Sequence, residues 1–406
     1  MNWLIAENEL DLEQREFLDK LLTSSGNLWI QGFPGSGKTI LLLYSAQRIR
    51  KVNSNAKILF VEFTHSLIKM LKAALRELHF DDIEVITYYD FVGRVFSEQF
   101  DYILCDEVQD MPRIVLETMV KRSKRVVVAG DVNQSIWDED PQWGKETCKP
   151  SEVVEVLNPE ITALTIIHRL PLNIIKAVHA FMPEVNIIGG RHSMMKQNVQ
   201  IRLKKASDFD SEVKYILEKA LDPTSQGGDT VGILLRTHNQ IIQFANRVLE
   251  QMNKPIWEEQ KNRYGKPDFG KLNIHFKQHK VPIQYVANRY GSFTDNPDVI
   301  TLTTYHSSKG LDFDTVILPA CSNYAYSDSF EDRTLFMVGM TRTRKNLYLS
   351  HAYGGWDSSI IKFMDQKDLY HYEDEEGSNL LFTESSMNQS SNTTKKDETD
   401  IASIFE

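Results

Sequence analysis

The stretch that most constrains this 406-residue chain is QGFPGSGKT, Gln31 to Thr39. Gly32 is followed by four residues, Phe33, Pro34, Gly35 and Ser36, and then by Gly37, Lys38 and Thr39. The apolar run Leu28-Trp29-Ile30 precedes it, and Ile40 to Tyr44, free of helix breakers, follows. A strand, a glycine-rich turn and a helix start together make a phosphate cradle. The glycines let backbone N–H groups converge on phosphate oxygens, and the helix N-terminus adds partial positive charge. Lys38 is expected to reach the β- and γ-phosphates, and the Thr39 hydroxyl to ligate Mg²⁺. The cofactors expected are therefore a nucleoside triphosphate and Mg²⁺.

Such a loop predicts an α/β fold with parallel sheets, and the rest of the chain agrees. Short β-branched runs alternate with amphipathic stretches, as in successive βα units. The first series of strand candidates is 28–30, 57–63, 85–86, 102–105 and 125–129. A second series is 199–203, 231–235, 283–286, 299–303, 315–318 and 346–350. Their near-continuous apolarity suits strands covered on both faces. Two series predict two domains, residues 1–160 and 161–372, with the polar stretch DEDPQWGKETCKPSEVVEVLNPE as the hinge. From about Glu373 periodicity is lost, and 373–406 reads as an acidic, disordered tail ending in the small apolar cluster DIASIFE, a candidate docking segment for a protein partner.

Net charge is −10, but it is unevenly spread. Residues 1–160 hold 18 basic and 26 acidic side chains, residues 161–370 hold 26 and 21, and residues 371–406 hold 2 and 9. A polyanionic partner should therefore meet the middle block. Cys105, Cys148 and Cys321 have no paired or metal-ligand spacing, which favours a reducing cytoplasm. No apolar run is long enough for a membrane span.

Further chemistry follows the second half of the first series. After the strand YILC comes DEVQD, Asp106 to Asp110. Asp106 is expected in the Mg²⁺ shell, and Glu107 to orient or deprotonate the attacking water. VVVAGDVNQSIW is a strand running into Gln134, a neutral group able to touch a γ-phosphate. TYHSSKGLDFDTVIL carries Thr304, His306, Lys309, Gly310 and Asp312, and VGMTRTRK carries Arg342 and Arg344.

In this order, GFPGSGKT, DEVQD, GDVNQSIW, TYHSSKGLDF and VGMTRTRK resemble the motif set of superfamily 1 helicases of the UvrD/Rep/PcrA type, over roughly residues 10–350. The resemblance implies two RecA-like domains with ATP in the cleft between them, and 3′→5′ movement on single-stranded DNA, with RNA left open. Carried over residue by residue, Gln14 would read the adenine edge. His168 would stack on adenine where the family usually has Tyr, and Gly310 and Asp312 would lie near the nucleotide. Arg169 and Arg342 would meet the γ-phosphate, Arg342 as the arginine finger and Arg344 as the lesser candidate. Phe63 and Trp137 would stack bases, and Thr304 and His306 would contact the strand's backbone.

The chain also departs from the family. Glu62 stands where Thr is usual beside Phe63, placing an acid near the proposed path of the strand. Asp312 replaces a Glu. The family's two accessory insertions are reduced to almost nothing, the second to residues 254–280. That piece interleaves Lys266, Lys271, Lys277 and Lys280 with Trp257, Tyr264, Phe269 and Phe276, and reads either as a solvated face or as a compact arm on nucleic acid. Two other readings stay open at this point: a nucleic-acid-gated ATPase subunit of a larger complex with little unwinding of its own, and a P-loop NTPase acting on a small molecule.

Overall fold

The computed structural model describes residues 4–94, 99–131, 143–185, 187, 190–192, 198–222, 228–287, 290–291, 296–321, 329–352, 361–362 and 371–372. Two compact units emerge, 1–175 with 182–197, and 176–181 with 198–406. The expected tail, Gln134 and Trp137 lie outside the described residues.

The first unit is built on six strands: β1 (Leu28–Gly32), β2 (Ile58–Glu62), β3 (Glu84–Thr87), β4 (Phe100–Cys105), β5 (Ser123–Gly130) and β6 (Glu160–Leu164). Every pairing is parallel, in the order β3-β2-β4-β5-β1-β6. Helices α1 (Leu12–Thr23), α2 (Lys38–Val52), α3 (His65–Glu77), α4 (Tyr88–Gly93), α5 (Arg113–Arg122) and α6 (Pro150–Leu157) flank it. One core cluster joins Phe17, Leu42, Phe60 and Leu104, and another joins Trp29, Val61, Ile103 and Val128. Alternate residues of one strand thus feed opposite faces, which is why these strands read as unbroken apolar runs.

The stretch expected to be a hinge is, from Trp143 onward, part of this unit. Trp143 meets Tyr88 edge to face at 5.3 Å, the Cys148 N–H donates to Met111 O, and Val153 and Leu157 of α6 sit in the core. The apolar i, i+4 pair on α6 outweighs the polar composition around it. A two-stranded ribbon, β7 (Ile166–Ile167) with β8 (Arg191–His192), and helix α7 (Leu172–Phe181) follow.

The second unit holds β9 (Gln200–Ala206), β10 (Val231–Leu235), β11 (Ile283–Tyr285), β12 (Ile300–Thr304), β13 (Phe313–Leu318), β14 (Thr343–Ala352) and β15 (His371–Tyr372). These form a second parallel sheet, in the order β11-β12-β10-β13-β14-β9-β15. Its helices are α8 (Phe209–Leu221), α9 (His238–Gln251), α10 (Phe269–Gln278) and α11 (Phe330–Met340). The fold is thus α/β with two parallel sheets, as the two series of strand candidates predict. No described helix is long and apolar enough to cross a membrane.

Candidate active site

In an open parallel sheet ligands bind beyond the carboxyl ends of the strands, where loops meet helix N-termini. In the first unit that edge carries Gly32 at the end of β1, Asp106 and Glu107 after β4, Asp131 after β5 and Glu62 at the end of β2. The loop after β1 turns through Gly35 and Gly37, both left-handed at φ 73° and 90°. Side chains are excluded there on steric grounds as well. A Cβ on Gly32 would sit 2.5 Å from Ser36 Oγ, one on Gly37 2.5 Å from Gln14 Nε2, and one on Gly35 2.6 Å from Arg169 Cβ.

The loop is braced from two sides. Gln14 is buried; its amide N–H donates to Ser36 O at 3.0 Å, and its carbonyl accepts the Asp11 N–H at 3.0 Å. The backbone N–H groups of His168 and Arg169 both donate to Gly35 O, and the His168 imidazole pairs with Asp11 at 2.6 Å. Gln14 and His168, expected from the resemblance at the adenine, are therefore joined through Asp11, which also caps α1 by accepting the Gln14 N–H. Sequence reasoning missed Asp11. The spacing of Asp11 and Gln14 at the start of a helix, a capping box, was its signal.

Lys38 folds back on its own loop, donating to Gly32 O at 2.8 Å and Phe33 O at 3.1 Å. The Ser36 hydroxyl is buried with no partner. The Thr39 hydroxyl donates to Asp106 Oδ2 at 2.5 Å, so the two oxygens expected at Mg²⁺ already face each other. An ammonium held by carbonyls, an orphan hydroxyl and a paired hydroxyl and carboxylate fit a triphosphate with its metal. When bound, the ion would neutralise phosphate charge between Thr39 and Asp106. Burial, and then the charge of Glu107, raise the Asp106 pKa to about 6, while Thr39 and Lys38 pull it down.

Glu107, whose backbone is left-handed at φ 51°, accepts a 2.6 Å hydrogen bond from Gln109 Nε2. Gln109 Oε1 accepts the Asp131 N–H at 3.2 Å. Gln109 too was missed, because its partner Asp131 follows β5, 22 residues on in the sequence. The acid expected near the strand's path, Glu62, points elsewhere. The β2–β4 register pairs Val61 with Cys105, which places Glu62 beside Asp106 one residue on. Glu62 is fully buried with both carboxyl oxygens unpartnered. Burial first, then the Asp106 and Glu107 charges, hold its pKa well above the usual carboxylate range. The next residue, Phe63, is also buried and stacks on Tyr88 with ring centroids 5.2 Å apart.

The second unit holds the remaining expected residues. Arg342 is buried at the end of α11; its guanidinium donates to Val338 O, Leu311 O and Thr341 Oγ1. Arg344 pairs with Asp312, and Gly310 has a left-handed backbone at φ 81°. Thr304 Oγ1 caps the following turn through Ser307. Burial, and the positive charges of Arg236 and Lys309, lower the His306 pKa to about 4, so this imidazole is neutral at pH 7. In segment 254–280, Trp257, Phe269 and Phe276 are core residues, not an exposed aromatic row. Lys266, Lys271, Lys277 and Lys280 are exposed, and so is Tyr264.

Comparison with known proteins agrees with this division. Residues 14–138 match the model of an AAA domain, and residues 283–354 that of the UvrD-like helicase C-terminal domain. No curated protein matches the sequence. Among solved structures the chain is similar to the PRRSV helicase at 15% identity and a TM-score of 0.43, covering 82% of this chain and 53% of that one. It is similar to the Arterivirus nonstructural protein 10 helicase in complex with DNA at 13% identity and a TM-score of 0.43, covering 86% and 65%. It is also similar to the C-terminal domain of a possible DNA helicase from Lactobacillus plantarum WCFS1, at 15% identity and a TM-score of 0.34, covering 51% and 99%. The chain thus spans about half of the first of these. Such scores are too loose for residue correspondences. With residues 14–138 matching an AAA domain and residues 283–354 matching the UvrD-like helicase C-terminal domain, the chain carries the two domain types of a UvrD-like helicase.

Proposed function

We propose that this chain couples ATP hydrolysis to 3′→5′ movement along single-stranded DNA. The observation that carries the reading is the prepared carboxyl edge of the first sheet, where Lys38, the Thr39–Asp106 pair and Glu107 meet, in a chain whose other unit matches the UvrD-like C-terminal domain. Lys38 exchanges its loop carbonyls for phosphate oxygens, Glu107 holds the attacking water, and Thr39 and Asp106 hold Mg²⁺. Arg342 acts on the γ-phosphate after release from the carbonyls of Val338 and Leu311, and Arg169 assists. Such an arginine stabilises the charge of the transition state. Thr304 and His306 contact the strand's backbone, and a neutral His306 does so as a hydrogen-bonding group. Lys266, Lys271 and Lys277 form a compact basic arm.

A strand-displacement assay tests direction and movement together. Streptavidin is placed at the 3′ or the 5′ end of a biotinylated single strand, and its ATP-dependent release is followed. The reading predicts faster release from the 5′ end, toward which a 3′→5′ motor travels. Equal, ATP-independent release from both ends would defeat it.

A further inference from the structure

The order of strands in the first sheet sets which end of a nucleotide meets which side of the loop after β1. β4, which leads into Asp106 and Glu107, lies to one side of β1, and β6, which runs on toward His168, lies to the other. Phosphates whose terminal end faces Thr39 and Asp106 therefore direct the nucleoside toward the side of β6, α1 and His168. On that side Gln14 is 1% exposed, and both ends of its amide are engaged. Nε2 donates to Ser36 O at 3.0 Å, and Oε1 accepts the Asp11 N–H at 3.0 Å. The amide is also packed against the loop, since a Cβ on Gly37 would lie 2.5 Å from Nε2. To face a base it would have to give up both hydrogen bonds and leave the turn it braces. Asp11 is occupied in the same way: one carboxyl oxygen accepts the Gln14 N–H at 2.9 Å, and the other pairs with His168 Nε2 at 2.6 Å. Of these side chains the His168 ring is the most open, at 36% exposure against 15% for Asp11.

We propose that this site takes nucleoside triphosphates with little regard to the base: Gln14 is a positioning residue that holds the phosphate loop, and His168, oriented by Asp11, is the platform on which a base stacks. Stacking on a ring is open to every base, because each has a π-face. A site that reads a substrate through buried hydrogen-bonding groups rejects the wrong one by about 10⁴–10⁵-fold, because those groups are then left unpaired. Here the buried groups are already paired with each other and with the loop. The proposal rests on the triphosphate-hydrolysing reading given above, and it departs from the expectation that Gln14 reads the adenine edge.

The test uses the full chain as wild type, Gln14→Ala and His168→Ala. Hydrolysis of ATP, GTP, CTP and UTP is measured with Mg²⁺ and oligothymidine, and binding of ADP and GDP is measured by titration calorimetry, without turnover. In wild type, kcat/KM for ATP and GTP should agree within about tenfold, and so should the two diphosphate affinities, as stacking without base reading allows. Gln14→Ala should weaken ADP and GDP by the same factor and leave their ratio unchanged, because it loosens the loop and removes no base contact. His168→Ala should weaken both about fivefold or more, the loss expected for one base–ring stack. A larger wild-type preference for adenine overturns the proposal, and its collapse in Gln14→Ala would assign the amide to the base. Unchanged diphosphate affinity in His168→Ala overturns it equally. If Gln14→Ala fails to fold, the wild-type ratios carry the test. Hydrolysis of none of the triphosphates would remove the hydrolytic reading, while the ADP-to-GDP ratio would still decide the question of the base.

Discussion

Glu62→Met replaces a fully buried acid with an apolar side chain of similar length. In the native protein both Glu62 oxygens lack hydrogen-bond partners, and the carboxyl faces the charges of Asp106 and Glu107. Folding therefore raises its pKa above the ordinary value of 4.5. The sign follows directly. The protonated folded form loses nothing below the unfolded pKa. As pH rises above it, the unfolded chain gains by ionising and the folded chain does not, so stability falls. At about 1.36 kcal/mol per pH unit, the loss by pH 7 has a ceiling of about 3 kcal/mol. Glu62→Met removes that loss. Calorimetry from pH 5 to pH 8 should show the variant's Tm pulling ahead of wild type as pH rises. The gap near neutrality has a corresponding ceiling of roughly 6–12 °C, at about 2–4 °C per kcal/mol. A gap independent of pH, or one that closes as pH rises, would mean that Glu62 is ionised and paired in the native protein.

Arg342→Ala should hold ATP affinity within a few-fold while lowering stimulated kcat by at least about 10², the loss expected for a charge met mainly in the transition state. Because the guanidinium also ties α11 to Leu311, a melting curve must accompany the kinetics; near-normal turnover in a folded variant would move the finger to Arg344 or Arg169. Neutralising Lys266, Lys271, Lys277 and Lys280 together, all exposed, should leave Tm unchanged. It should also reduce the salt dependence of single-stranded DNA binding by roughly 2–3 units of log–log slope if three or four of them touch phosphates. An unchanged slope would make the segment a plain solvated face.

The parts of this fold that the sequence shows plainly are those decided by local pattern. All eleven apolar runs read as strands are strands, because a strand covered on both faces has to be apolar throughout. Edge strand β6 escaped notice because EITAL is mostly exposed, and β15 because two residues carry no pattern. The phosphate loop, Thr39 and Asp106 were legible because short spacing and flanking apolarity specify them. Gln109 and Asp11 were not, since their work depends on Asp131 and His168, which only the folded chain brings near. The aromatics of 254–280 misled for a different reason. Phe269, Leu272 and Phe276 follow the i, i+3, i+7 spacing of a buried helix face, a period obscured by the lysines between them. Glu62 shows the same dependence on context: beside Phe63 in the sequence it suggests an acid near a nucleic acid, but the strand register turns it toward Asp106.

Whether nucleic acid drives this phosphate site is decided by steady-state ATPase measurement. Wild type and Glu107→Gln are compared with no nucleic acid, with single-stranded DNA, with duplex DNA and with RNA, each at two salt concentrations. The expected result is low basal turnover, stimulation of at least about tenfold by single-stranded DNA that weakens as salt releases phosphate contacts, little stimulation by blunt duplex, and no turnover in Glu107→Gln. Turnover of the same size in all four conditions, abolished by Glu107→Gln, would show a working ATPase that ignores nucleic acid, and the proposed movement along DNA would fall with it.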